Sequence, residues 1–284
     1  GSQLETGVST VPRFSKDATD RNRTSPFAFT GNKFEFRMVG SSASIADPNI
    51  VLNTIVAETL CQAADILEKA DDFELALHDL IKDWVTDHIR IIFNGDGYSD
   101  AWVEEAARRG LPNIKNTVDA TSVLADPEVI KLFEKHGVFS AIELAAREEV
   151  GYENYSKAIN IEARTMIDMA SKQIIPAVIK YTTQLAGSLG AVKAACPEAD
   201  TSVQAELLTE TSALLSDMKV ALAALIDITE EAAGVDGAET QAHVYHEKVV
   251  PAMAALRTPA DKLEMIVDKD LWPLPSYGDL IFEV

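Results

Sequence analysis

TSVQAELLTETSALLSDMKVALAALIDITEEAA, residues 201–233, is the stretch that decides the class of fold. Leu207, Leu208, Thr211, Leu214, Leu215, Met218, Ala221, Leu222 and Leu225 recur in steps of three and four, the spacing of a helix that lays one stripe into a bundle seam. At 1.5 Å per residue, a helix of about thirty residues is about 45 Å long. Two more long patterns flank it. One runs from Ser140 to about Lys193, with a break expected near Gly151 and a kink near Pro176. The other covers about Gly237 to Leu256, and Thr258-Pro259 reads as the start of one last short helix to about Val267. Cys196-Pro197-Glu198 and Gly234-Val235-Asp236-Gly237 are the short connections of antiparallel neighbours.

Working outward, the N-terminal side carries shorter helical patterns. Asp47-Pro48 opens one, with Asp47 as the cap, and its apolar residues continue through Val56, Leu60, Ala63, Ile66 and Leu67. Another runs from about Phe73 to Phe93 and stops at Asn94-Gly95-Asp96-Gly97. Shorter ones follow at about Asp100 to Arg109 and from Asp126-Pro127 to His136-Gly137. On the far side, Leu271, Trp272, Pro273, Leu274, Pro275 and Tyr277 form an apolar strap that must dock, on its own helices or on another subunit. The expected partition is 1–139, 140–269 and 270–284. No sequence repeat, low-complexity run or polybasic block is legible.

Composition agrees with a helical, well-cored chain. Hydrophobic residues make up 47% of the 284 and aromatics only 7%, which favours helix over sheet. A formal net charge of −20 repels nucleic acid and acidic membrane surfaces, so neither is expected as a partner. No run approaches about eighteen consecutive apolar residues, so no membrane span is expected. The two cysteines, Cys61 and Cys196, stand far apart, as in a reducing cytoplasm, and read as small core residues. Gly1-Ser2 without Met reads as a cloning remnant.

One stretch breaks the helical pattern. Residues 21–42 read RNRTSPFAFTGNKFEFRMVGSS. Lys33-Phe34-Glu35-Phe36-Arg37 alternates with period two, the mark of a strand with one buried face. Phe27 to Thr30 supplies a partner strand, and Gly31-Asn32 a two-residue hairpin turn. Glu35 and Arg37 then share a face, about 6.5–7 Å apart along the strand. That span suits a carboxylate on a cation beside a guanidinium on an anionic group. Such a face on an edge hairpin is equally the ordinary solvated pair.

The residues in this stretch resemble the C-terminal end of the catalytic barrel of glutamine synthetases. There an Asn-Arg-(Ser/Thr) segment precedes a strand with Glu-x-Arg, then a small-residue loop with Asp-Pro and Asn, then a helix. Here these are Asn22-Arg23-Thr24, Glu35-Phe36-Arg37 and Asp47-Pro48-Asn49. The wording, with ENYSKAINIEARTMIDM and DLWPLPSYGDLIFEV further on, is similar to the large type III branch. The fold expected is therefore mainly α: a long antiparallel helical bundle with a short N-terminal β-hairpin belonging to an incomplete catalytic β-barrel.

The resemblance implies an enzyme that phosphorylates glutamate with ATP and displaces the phosphate with ammonia, using Mg2+ or Mn2+. It makes Glu35 a metal ligand, and Arg23 and Arg37 contacts to the glutamate substrate. A further arginine of the type I pattern, which binds nucleotide phosphates, falls at Ala28 here, and Lys33 is the candidate replacement. It implies a homo-oligomeric ring for the whole enzyme, no catalytic residue in this chain, and no activity of this chain alone. The alternative is a helical oligomerisation or interaction module without chemistry of its own.

Other candidates read as structural. His243, His246 and Glu247 share a helical face, with no third ligand evident and no His-Glu-x-x-His order. His78, His88 and His136 stand isolated. Asp71-Asp72 and Glu230-Glu231 read as exposed helix-end carboxylates, and Met166 and Met169 as core.

Overall fold

The computed structural model describes residues 44–93, 97 and 99–282, and before them the backbone of four short strands. These are β1 (Gln3–Leu4), β2 (Phe14–Ser15), β3 (Phe27–Phe29) and β4 (Phe34–Phe36). β1 pairs antiparallel with β2, and β3 with β4, Phe27 standing opposite Phe36, Ala28 opposite Glu35 and Phe29 opposite Phe34. The turn expected at Gly31-Asn32 and the side chains of the hairpin lie outside the described residues.

Everything beyond is helical, so the chain is mainly α. In chain order the helices are α1 (Ala46–Leu67), α2 (Phe73–His88), α3 (Asp100–Arg108), α4 (Thr117–Thr121), α5 (Pro127–Lys135) and α6 (Ala141–Met169). They continue with α7 (Ile175–Ala195), α8 (Ser202–Ala233), α9 (Ala238–Val244), α10 (Val250–Glu264) and α11 (Tyr277–Phe282). Two compact units divide them: residues 1–114 with 132–138, and residues 115–131 with 139–284.

In the first unit α2 packs against α1. Asp72 caps α2 by accepting from the Leu75 N–H at 3.1 Å. Asp47, expected as the cap of α1, lies inside its first turn, and Ile45 holds the cap position. After a 3-10 turn at Ile89–Ile91, the chain is tied to α3 by Arg109. Its guanidinium donates to the carbonyls of Arg90 (3.0 Å) and Ile92 (2.7 Å), and pairs with Glu105. It also lies 5.6 Å from the ring centre of Trp102, which stacks on Phe93 at 4.3 Å. Gly110 and Gly137, at φ +69° and +62°, close α3 and α5 in the left-handed region, which glycine enters without steric cost.

In the second unit α8 is the central element, packed against α6, α7 and α10. Thr211, Met218, Leu225 and Ala232 recur every seven residues and all are fully buried. Leu214, Leu222 and Thr229 fill the adjoining row. The strap residues Leu271, Trp272 and Leu274 pack onto this same core.

Two expectations need correction here, at Gly151 and at Pro259, whereas the kink expected near Pro176 has its counterpart in a π-helical turn. Gly151 does not break its helix, since α6 runs through it. A Cβ at Gly151 would come within 2.9 Å of Thr121 Cγ2, and the Thr121 hydroxyl is anchored by donating to the Thr117 carbonyl at 2.8 Å. The glycine is a notch for α4. Pro259 does not start a helix but lies buried inside α10, held between Leu256 and Leu263. And two prolines follow π-helical turns, Ala170–Ile174 before Pro176 and Tyr245–Val249 before Pro251.

These two turns share one cause. Proline has no N–H and its ring collides with the carbonyl four residues back. Widening the preceding turn moves that carbonyl aside, and the Ile175 and Val250 amides bond five residues back, to Ala170 and Tyr245. Ile174-Ile175-Pro176-Ala177 and Val249-Val250-Pro251-Ala252 therefore stand in equivalent positions. Ala170, Ile174, Tyr245 and Val249 all enter the same core. This local correspondence is too short to register as a sequence repeat.

Candidate functional site

Of the expected site residues, Arg23, Lys33 and Arg37 lie outside the described residues, as does the side chain of Glu35. What the structure describes there is backbone: Glu35 is the central residue of β4, opposite Ala28 of β3. Ten residues after β4 the chain enters α1, so the unit that carries this strand pair also carries α1 and α2.

A cluster of charged and polar side chains joins α1 to the end of α5. Glu58 accepts from Lys135 Nζ at 2.7 Å and from Gln62 Nε2 at 2.9 Å, and His136 Nε2 lies 2.8 Å from its other oxygen. The bonds from Lys135, Gln62 and His136 hold the Glu58 carboxyl at about 2, well below its ordinary 4.5. In return, the bond to Glu58 raises the Lys135 ammonium above its usual value. His136, which stands isolated in sequence, is thus part of a clasp between the end of α5 and the middle of α1.

The clasp has a pH signature. A carboxyl with a depressed folded-state value contributes stability above its unfolded value and loses it as pH falls through the folded one. For Glu58 that window runs from 4.5 down to about 2. Glu58→Gln is expected to flatten the fall in the urea midpoint across this window, and the Glu58 side-chain carboxyl resonance is expected to titrate near its lower end. An unchanged slope, or titration near the ordinary value, would refute the clasp.

The remaining candidates are structural. His246 Nδ1 lies 3.1 Å from the Tyr155 hydroxyl, whose titration is pushed up by burial and then by Glu162. His243 lies 3.7 Å from Glu247. Among the described residues no group of three or more His, Cys, Asp or Glu could hold a metal ion. Both cysteines are exposed free thiols, against the expectation that they fill the core. Glu231 pairs with Lys248 at 3.1 Å, and Met166 packs on the core. Sequence reasoning missed the roles of Glu58 and Arg109, because the bonds to Lys135 and His136 and to the Arg90 and Ile92 carbonyls join residues far apart in sequence, which no local pattern encodes.

Comparison with known proteins supplies what the described side chains do not. Residues 76–193 match the family described as the glutamine synthetase C-terminal domain. The chain is 39% identical over 290 residues to the type-3 glutamine synthetase of Dictyostelium discoideum, covering 98% of this chain and 39% of that protein. It is 35% identical to glutamine synthetases of Bacteroides fragilis over 287 residues and of Butyrivibrio fibrisolvens over 276 residues. Those alignments take in 98% and 95% of this chain and 39% of each relative. The chain thus spans about two-fifths of the length of the curated relatives it matches. It is homologous to the C-terminal portion of glutamine synthetases.

Proposed function

We propose that the chain is the C-terminal part of a cytoplasmic glutamate–ammonia ligase, which forms glutamine from glutamate and ammonia through a glutamyl phosphate at the expense of ATP. The observation that carries this reading is the extent of the likeness: alignment over 98% of the chain leaves only a few residues outside it. In this reading Glu35 ligates one of the Mg2+ or Mn2+ ions, an oxygen donor of the type hard divalent cations take. The ion would screen the phosphates during transfer. Arg23 and Arg37 hold glutamate, since planar guanidinium forks match carboxylates. Lys33 contacts nucleotide phosphate as a point charge.

The helices of the second unit carry and assemble this site within a homo-oligomeric ring. Assembly and chemistry are compatible roles for one chain. Most metal ligands and the ammonia site belong to the part of the enzyme that this chain does not span, so this chain alone is expected to form no glutamine. The check is an assay of the purified chain with glutamate, ammonia, ATP and Mg2+ or Mn2+, beside the longer polypeptide encoded by the same gene. Turnover by the chain alone would refute its inactivity, and none by the longer polypeptide would refute the reading.

A further inference from the structure

Where α6 packs against α4 and α9, it carries polar groups that find no partner in their own unit. Glu148, Tyr152 and Ser156 follow one another at four-residue steps and so stack along one face of the helix. Tyr152 and Ser156 are each 3% exposed. Neither the Tyr152 phenol nor the Ser156 hydroxyl has a hydrogen-bond partner among the described residues. Tyr152 packs with Val118 of α4 and Ala242 of α9, and Ala238 lies against the same cluster. The residues next to Val118 and Ala238 are Asp119 and Glu239, so three helices each bring a carboxylate to this junction.

The electrostatics agree with the packing. Burial, and then Glu239, Glu148 and Asp119 in that order, push the Tyr152 phenol up, so all three carboxylates act on it. Burial and then Glu239 push the Glu148 carboxyl up as well, and no lysine or arginine acts on either group. Arg147, beside Glu148 in sequence, lies over the Phe139 ring at 4.2 Å, and His243, one turn on from Glu239, lies 3.7 Å from Glu247. Asp119 accepts from Asn116 Nδ2 at 2.7 Å, whereas Glu148 and Glu239 have no hydrogen bond or ion pair among the described residues. A trapped water would satisfy the phenol but leave the carboxylates repelling one another. A cation removes both costs. A hard divalent ion takes about six to eight oxygens, and the described residues offer no metal-holding group. A primary ammonium carries three N–H donors and no acceptor, which suits a site made of acceptors.

We propose that the junction of α4, α6 and α9 binds a primary ammonium group, which donates to the carboxylates of Glu148 and Glu239 and to the phenol oxygen of Tyr152. Asp119 adds a third negative charge from α4. The amine comes free from solution or on a lysine of the portion that the relatives carry beyond this chain, and the recognition is the same for both.

The probe is n-butylammonium chloride, compared at equal ionic strength with tetramethylammonium chloride, which has no N–H to donate. Backbone amide resonances of the purified chain are followed by NMR. Saturable shifts confined to α4, α6 and α9 are expected with butylammonium and none with tetramethylammonium. Tyr152→Phe is expected to weaken binding by about tenfold, the loss of one hydrogen bond to a charged group, and Glu148→Gln by at least as much. Glu206→Gln removes the same charge from the exposed start of α8 and is expected to leave the affinity within about twofold. Absence of a saturable shift overturns the proposal, as does equal binding of the two ammonium ions or equal weakening by Glu206→Gln. So does tighter binding of Mg2+ at the same resonances, which would make the junction a metal site. The longer polypeptide of the same gene separates the two sources of the amine. If it takes butylammonium as the chain does, the amine is a free one. If it has lost that binding and carbodiimide crosslinks Glu148 to a lysine of the added portion, the amine is the protein's own.

Discussion

Under the proposed function, Glu35→Ala, made in a polypeptide that adds to this chain the portion its relatives carry beyond it, is expected to lower glutamine formation by at least about 100-fold and to weaken Mg2+ or Mn2+ binding alongside it. The magnitude follows from metal-site chemistry: loss of an outer-shell partner already costs about 10–100-fold, and a direct ligand costs more. A divalent ion that bridges phosphate oxygens must be held by negative oxygen donors, and alanine supplies none. Glu35→Gln keeps the shape and loses the charge, so it is expected to fall nearly as far. Arg37→Lys keeps the charge and loses the fork, and is expected to raise the KM for glutamate more than it lowers kcat. The assay is glutamine formation against metal concentration. If metal affinity and activity both survive Glu35→Ala, the assignment of Glu35 is wrong.

How much of this was legible depends on where each contact closes. The limits of α8 can be read to within a residue, because 201–233 holds neither glycine nor proline and every turn repeats the same apolar step. Pro259 and Gly151 misled, because their helices are held by packing: Leu256 and Leu263 around one, Thr121 against the other. The π turns escaped for a related reason, since proline announces a lost hydrogen bond without saying how the backbone absorbs it. In α1 the hydrophobic stripe is plain in sequence, and the natural inference is that it faces the core. The structure leaves Val56, Leu60 and Ile66 exposed and half-buries Ala63 and Leu67, while Glu58 finds its partner at Lys135, far along the chain. The candidate site is a different case. Spacing on the 33–37 strand allows a metal-and-substrate pair or a solvated one. Only the likeness to glutamine synthetases separates them, and that likeness comes from residue identity.

The largest stability effects are expected on α8. Leu225→Ala removes a fully buried side chain from the row it shares with Thr211, Met218 and Ala232. With α6, α7 and α10 all packed against α8, the cavity has no free edge into which to collapse. The cost expected is about 2–5 kcal/mol, the lost transfer energy plus the cavity left behind. Thr211→Val in the same row should act in the opposite sense. The Thr211 hydroxyl is buried and finds no partner among the described residues, whereas that of Thr229 donates to the Leu225 carbonyl at 2.6 Å. A methyl in place of an unpaired hydroxyl is expected to add about 1 kcal/mol, and Thr229→Val, which breaks a bond, to add nothing. Urea unfolding of the three variants separates these outcomes. If Leu225→Ala costs less than about 1 kcal/mol, the seam of α8 is not the core of its unit. If Thr211→Val and Thr229→Val shift the midpoint alike, a satisfied hydroxyl and an unpaired one weigh the same there. The helix would then owe its place in the bundle to apolar volume alone.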